Sequence, residues 1–247
     1  MRCPPRQREA GAKLLLASGL IVADRCWLRL DWRAKVGSML RAALNLLVPP
    51  LCWVCREAAA DRLCESCRSQ LPWIEPLAPR RSGSRLQQHW SPLEFAGPAR
   101  VLVHALKFQS ATALAGLMAR QLVDALPPRA FPPDAALVPV PASPLRLRQR
   151  GFDHADLLAA ELSQLVMLPL ERPLRRESSI ARGQRGLGRS DRLSGRGLRV
   201  RAARKAPVRV ILIDDVCTTG ATLDLCAEAL LGAESKLVSA VTYCSVP

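Results

Sequence analysis

VILIDDVCTTGATL, Val210 to Leu223, is the stretch whose reading decides the fold. Four apolar residues run into two adjacent aspartates, and small and hydroxyl side chains follow. The apolar run, taken as VRVILI (208–213), has the length and β-branched content of a buried strand. ATLDLCAEALLGA after it reads as a helix and KLVSAVTYC as a further strand. Upstream, AALVPVP (135–141) is a short buried strand closed by prolines. DHADLLAAELSQLV (153–166) reads as a helix with Asp153 as its N-cap. Strand, loop, helix, strand predicts an α/β fold with a parallel sheet and right-handed crossovers. ARVLVHALKF and TALAGLMARQLVDAL show apolar residues at three and four spacing and read as helices. LRLRQRG (145–151) reads as a basic loop, and 175–207, rich in arginine and glycine with little hydrophobic period, as a mobile segment.

In such a fold the loop after a strand lies at the sheet's C-terminal edge, where ligands bind. Gly220 admits backbone angles closed to other residues. Thr218, Thr219 and Thr222 supply hydroxyls, and the following helix aims its N-terminus at the loop. That arrangement suits a phosphate. The aspartates one step earlier suit sugar hydroxyls, or the hydration shell of Mg²⁺. A phosphate cradle behind a diol-binding acid pair describes a ribose 5-phosphate site.

Nine cysteines are present, and four of them stand as CWVC and CESC with eight residues between: Cys52, Cys55, Cys64 and Cys67. Two short knuckles present four thiolates, the set a structural Zn²⁺ prefers. Disulfides, free thiols or a rubredoxin-like iron are the alternatives. An odd cysteine total favours a reducing compartment over a disulfide framework. Trp53 and Trp73 are expected to pack around the module, with a base-stacking surface as the alternative.

At these residues a resemblance can be named. VILIDDVCTTGATL resembles the PRPP-binding signature of type I phosphoribosyltransferases: hydrophobic strand, two acids, TTGAT-like phosphate loop. LVPVPASPLRLRQRGFDHADLLA is similar to the ComF family's proline-flanked strand, basic loop and RGFNQ helix start. LVHALKFQ resembles that family's lysine segment, and GQRGLGRSDRL its PQ-x-GLSR-x-x-R stretch. Together with the four cysteines, residues 40–247 resemble a ComF-type protein, a zinc-ribbon-like segment before a phosphoribosyltransferase-like domain. The departures are Asp153 and His154 where the family usually has Asn-Gln, and Ala181 and Gly195 where Thr and Asn are usual.

The resemblance implies roles. Asp214 and Asp215 are the catalytic pair, binding the ribose hydroxyls. Val216, Cys217, Thr218, Thr219, Gly220, Ala221 and Thr222 form the phosphate loop, with Cys217 a small filler in it. Mg²⁺ with PRPP, Arg146, Arg148 and Arg150 would neutralise the leaving pyrophosphate. Lys107, with Gln184 and Arg192 of the 180–192 stretch, would close the site. The implied activity is a glycosyltransferase-class transfer from PRPP to a nitrogen acceptor, in a cytoplasmic protein of DNA uptake and natural transformation (competence). The competing reading is a non-catalytic accessory protein, a nucleotide sensor working with single-stranded DNA and a helicase-like partner.

Composition sets outer bounds. The 247 residues carry a net charge of +15, with only five lysines among 36 basic residues. That balance favours polyanionic partners: a phosphorylated small molecule, nucleic acid or an acidic lipid surface. The longest early apolar stretch, Leu14 to Ala23, is ten residues, against about 20 needed to span a bilayer. The expected organisation is an extension over 1–38 (with Met39 as a plausible start), a helix (36–48) and four-cysteine module over 39–75, a linker over 76–98 and the α/β domain over 99–247.

Overall fold

A computed structural model describes residues 50–59, 61–75, 77, 79, 85–177 and 199–246. The expected helix over 36–48, the extension over 1–38, and Ala181, Gln184, Arg192 and Gly195 lie outside the described residues. Two nine-residue strands form the centre, β6 (Arg209–Cys217) and β7 (Leu237–Ser245). They pair in parallel from Arg209↔Leu237 to Cys217↔Ser245. Strand β3 (Ala136–Pro139) flanks β6, with Ala136 opposite Val210 and Pro139 opposite Ile213. On the other edge β1 (His89–Trp90) and β2 (Leu93–Glu94) pair in succession with β7. All these pairings are parallel, so the α/β expectation holds.

Strand alternation distributes the side chains to two faces. Ile211, Ile213, Val241 and Tyr243 share a buried cluster with α2 (Gly97–Phe108), α3 (Leu114–Ala125) and α5 (His154–Val166). Val210, Leu212, Val238 and Ala240 share another with Leu223, Cys226, Ala227 and Leu230 of α6 (Ala221–Leu231). Helices therefore cover both faces, which is why VILI is continuously apolar rather than alternating. In the first cluster the Tyr243 hydroxyl donates to Gln121 Oε1 at 2.8 Å, so a buried polar pair fixes how α3 sits on β7.

Three expectations need correction. The basic loop is a helix, α4 (Pro144–Arg150). The Ser143 hydroxyl accepts from the Arg146 N–H at 3.2 Å, Pro144 occupies the first turn, and Gly151 ends the helix at φ 78°. Cap, proline and left-handed glycine were all legible, but an apolar face was not, because α4 buries no residue. The segment read as mobile over 175–207 contributes β4 (Leu174–Glu177) and β5 (Arg199–Ala202), an antiparallel pair. Four-residue strands dominated by arginine carry too little hydrophobic period to be seen. The expected linker includes β1 and β2, broken by Ser91 and Pro92.

The cysteine segment is continuous with this fold. It holds α1 (Glu65–Ser69) and an antiparallel bridge between Leu51 and Ala58. Cys52, Leu63, Cys67 and Leu71 belong to the same buried cluster as α2, α3 and α5. The Ile74 N–H donates to the Pro92 carbonyl at 2.9 Å and the Glu94 N–H to the Pro72 carbonyl at 3.0 Å. Trp53 packs against the cluster with the Arg56 guanidinium 5.2 Å from its ring centre, and Trp73 is bridged to Leu93. Among the described residues no helix is long and apolar enough to cross a membrane.

Candidate functional site

At the C-terminal end of β6 the alternation that buries Ile213 carries Asp215 to the same face. Asp215 is 1% exposed. Lys107, in the last turn of α2, places Nζ 2.7 Å from Asp215 Oδ1. His154, first residue of α5, places Nε2 3.1 Å from Oδ2. A buried carboxylate without compensation would cost several kcal/mol, and the lysine supplies that compensation. His154 lies where it does because Asp153 caps α5: its Oδ1 accepts from the Ala155 N–H at 3.1 Å, and its Oδ2 from the Ala142 N–H at 2.8 Å. One aspartate thus ties the end of β3's loop to the start of α5.

Asp214 keeps partial solvent contact and its Oδ1 accepts the Asp215 N–H at 2.8 Å. Burial, then the charge of Asp215, push its carboxyl well above the usual range, and Lys107 only partly opposes them. His154 goes the other way: burial lowers it, with Lys107 and Arg150 adding to the effect against Asp215 and Asp153. Cys226 and Cys244 are buried thiols with raised pKa values, which makes both poor nucleophiles at neutral pH.

Behind the acids the chain turns through Thr218, Thr219 and Gly220 into α6. Gly220 occupies the N-cap position at φ 77°, a conformation that favours glycine. It offers no side-chain cap, and among the described residues Thr219 Oγ1 accepts from the Ala221 N–H, at 3.4 Å. Thr218, Thr219 and Ala221 are exposed, while Cys217 is buried in the second core cluster. The turn is therefore an open run of amides at a helix N-terminus, a setting that attracts an anion.

The basic residues divide. Lys107 is in the site. Arg150 lies close enough to depress His154, with its guanidinium 4.7 Å from the ring centre of Phe108. Arg146 is exposed on α4, and Arg148 folds back to the Pro144 carbonyl at 3.4 Å. Sequence reasoning misses two site residues. Arg176 on β4 is held below its ordinary value by burial and by Arg146, and it feels the charge of Asp214. It lies in a segment with no periodic signal. His154, noted in the sequence only as a departure from the resemblance, had one available signal: its place directly after a helix-capping aspartate.

The four thiolates converge as the knuckles suggested. Cys55 Sγ and Cys64 Sγ lie 3.5 Å apart, and all four Sγ atoms lie within 4.8 Å of one another. Ligands at about 2.3 Å around a tetrahedral Zn²⁺ would stand about 3.8 Å apart, so the set fits a structural zinc. The Val54 N–H points to Cys52 Sγ at 3.4 Å and the Cys67 N–H to Cys64 Sγ at 3.5 Å, the outer hydrogen bonds that orient thiolates on a metal. Burial raises the Cys52 thiol but backbone hydrogen bonds from Cys64, Cys55 and Val54 reverse this, leaving it at about 6. Burial and the neighbouring sulfurs push Cys67 up to about 12.

A parallel α/β sheet with an acid pair and an open amide turn at its C-terminal edge, flanked by a four-thiolate module, defines a two-part zinc-ribbon α/β protein. A family profile described as a double zinc ribbon domain matches residues 43–96. Competence protein F of Haemophilus influenzae is 29% identical over 211 residues, covering 78% of this chain and 90% of that protein. DNA utilization protein YhgH of Salmonella typhi is 29% identical over 214 residues, covering 75% and 92%. YhgH of Escherichia coli K12 is 28% identical over 212 residues with the same coverage. Over most of its length the chain is thus similar to competence protein F and to YhgH, and its cysteine segment is similar to a double zinc ribbon, as the ComF resemblance implies. Purine phosphoribosyltransferase of Pyrococcus horikoshii superposes with a TM-score of 0.31 at 16% identity, over 53% of this chain and 83% of that one.

Two outcomes are expected. Cys64→Ser should lower bound zinc, measured by atomic absorption, from about one ion per chain toward none. It should also lower the melting temperature, because a structural Zn²⁺ supplies folding energy of order 10 kcal/mol. Asp214→Asn should be more stable than wild type at pH 7.5 in magnesium-free buffer. The unfolded carboxyl titrates near about 3.9 and the folded one well above it, so wild-type stability declines as pH rises from the first value through the second. The variant's gain, about 2–4 °C in melting temperature per kcal/mol, should shrink as pH is lowered toward 5.5.

Proposed function

We propose that the C-terminal edge of the sheet binds a ribose 5-phosphate ligand, PRPP with Mg²⁺ foremost. The observation that carries this is the sequence of groups along one short path. Asp214 and Asp215 lie near the end of β6, which closes with Val216 and Cys217, the Thr218–Gly220 turn follows, and α6 begins without a side-chain cap. Asp214, the carboxylate with solvent access, takes a ribose hydroxyl. Asp215 anchors Lys107 beside it and takes the other hydroxyl when that ammonium swings to the pyrophosphate. Val216 to Thr222 hold the 5-phosphate, and Arg146, Arg150 and Arg176 face the leaving group. When bound, Mg²⁺ would neutralise pyrophosphate charge as the C1 bond breaks. The acceptor is a nitrogen nucleophile, which makes the implied activity a glycosyltransferase-class phosphoribosyl transfer. The relatives' names, competence protein F and DNA utilization protein YhgH, support placing it in a competence or DNA-utilization setting.

Calorimetric titration with PRPP and Mg²⁺ should show saturable binding that Asp214→Asn with Asp215→Asn abolishes. Pyrophosphate release across a panel of bases, amines and ammonia then decides turnover. Wild type and double variant behaving alike in both measurements would end this reading.

One further feature favours the accessory role with single-stranded DNA. Along α2, Phe95, His104 and Phe108 form a row of three rings with Arg100 at one end and Arg150 at the other. Arg100 sits 5.9 Å from the Phe95 ring, Phe95 6.3 Å from His104, and His104 5.4 Å from Phe108. Phe108 is 63% exposed. Rings offer stacking to bases and guanidiniums contact phosphates, at about 1–3 kcal/mol per stacked base. Phe108→Ala should weaken binding of an oligothymidylate roughly tenfold or more at low salt, read by fluorescence anisotropy, with log affinity falling as log salt rises. The helicase-like partner belongs to the same proposal.

A further inference from the structure

The geometry points to a divalent d-block cation site at the same sheet edge, made by His154 Nε2, Asp215 Oδ2 and an Asp214 carboxylate oxygen. It takes an ion such as Mn²⁺ directly on the protein, without a sugar phosphate. The inference concerns the edge described above but does not require the PRPP reading.

Three observations carry it. One nitrogen and two oxygens, from His154, Asp214 and Asp215, all lie within 4.8 Å of one another. The two oxygens of Asp215 are not equivalent. Lys107 holds Oδ1 at 2.7 Å, while Oδ2, on a residue 1% exposed, has no hydrogen-bond partner among the described residues. Such an orphaned buried oxygen costs free energy and calls for a ligand. Oδ2 nonetheless lies only 3.1 Å from His154 Nε2. The approach is short enough for a hydrogen bond but misdirected for one. Two adjacent ligands on an octahedral ion, each at about 2.1 Å, stand about 3.0 Å apart, and each lies about 45° off the other's metal axis. A close but misaligned pair is what a shared cation produces.

The donor set selects the ion. Mg²⁺ demands oxygen ligands and keeps its waters, whereas one imidazole with two carboxylates suits Mn²⁺, Fe²⁺ or Co²⁺. Lys107 stays on Oδ1, so each oxygen of Asp215 keeps one cationic partner. Asp153 is spent on the Ala142 and Ala155 amides and does not compete. His154 stands where the resemblance has glutamine, so the nitrogen ligand belongs to this chain rather than to the family's pattern.

The test uses the full chain with its ribbon zinc-loaded and no sugar phosphate present. Mn²⁺ is the probe, because it is a poor ligand for the thiolates. Loss of the free-ion electron paramagnetic resonance signal should report binding. Electron spin echo modulation should show coupling to a directly bound imidazole nitrogen. His154→Gln, which restores the family-like residue, should weaken Mn²⁺ at least tenfold and erase the nitrogen coupling, and Mg²⁺ should displace Mn²⁺ only at tenfold or greater excess. No Mn²⁺ binding by wild type at millimolar concentration would overturn the proposal, as would binding without nitrogen coupling. Should His154→Gln fail to fold, the coupling in wild type alone decides. PRPP binding in Mg²⁺ is measured separately, so either reading can fail without the other.

Discussion

A single buried carboxylate organises this molecule. Asp215 sits at the end of the central strand with almost no access to water, and an ion there is tolerable only if the fold brings counter-charge to it. Lys107 brings that charge from the end of one helix, and His154 approaches the same carboxylate from the start of another. Neither can reach unless α2 and α5 pack on the same face of the sheet. The need to compensate that charge and the need to bury Ile211, Ile213, Val241 and Tyr243 therefore select the same arrangement. Asp153 reinforces it by capping α5 while holding the loop after β3.

The two aspartates divide their labour because a strand alternates. Asp215 follows the odd-numbered apolar residues toward α5 and α2, while Asp214 remains partly in solvent near Arg176 and Cys226. One carboxylate is anchored and the other is kept in an environment that disfavours its ionised form. Electrostatic tension of this kind at a sheet edge is a common mark of a site built for a ligand, since a bound partner can relieve it. The zinc module stands apart chemically but not structurally. Cys52 and Cys67 lie in the same buried cluster as the helices that position Lys107 and His154, so loss of the metal would be felt across that cluster.

Much of the fold was legible in the residues. VILI followed by ATLDLCAEALL announces a strand and helix through a change of period, and the acid doublet with TTGAT marks the sheet edge. The knuckles CWVC and CESC announce a four-thiolate site through spacing alone. Short elements were harder. Strands β1 and β2 hold two residues each, and β4 and β5 four, too few for alternation to rise above composition. Helix α4 showed its caps but has no apolar face, because it lies on the surface and buries nothing.

By itself the sequence determined the types of the longer strands and helices, the thiolate set and the place of the acid pair and its glycine turn, since each depends on residues close together in the chain. Only the tertiary structure decided which aspartate is buried, that Lys107 and His154 meet it, that Arg176 lies near the other, and that residues 89–94 join β7. These depend on groups separated by tens to more than a hundred positions, brought together by helix packing on a parallel sheet. Local spacing encodes local geometry; the partners of a buried charge are chosen by the packing of the whole core.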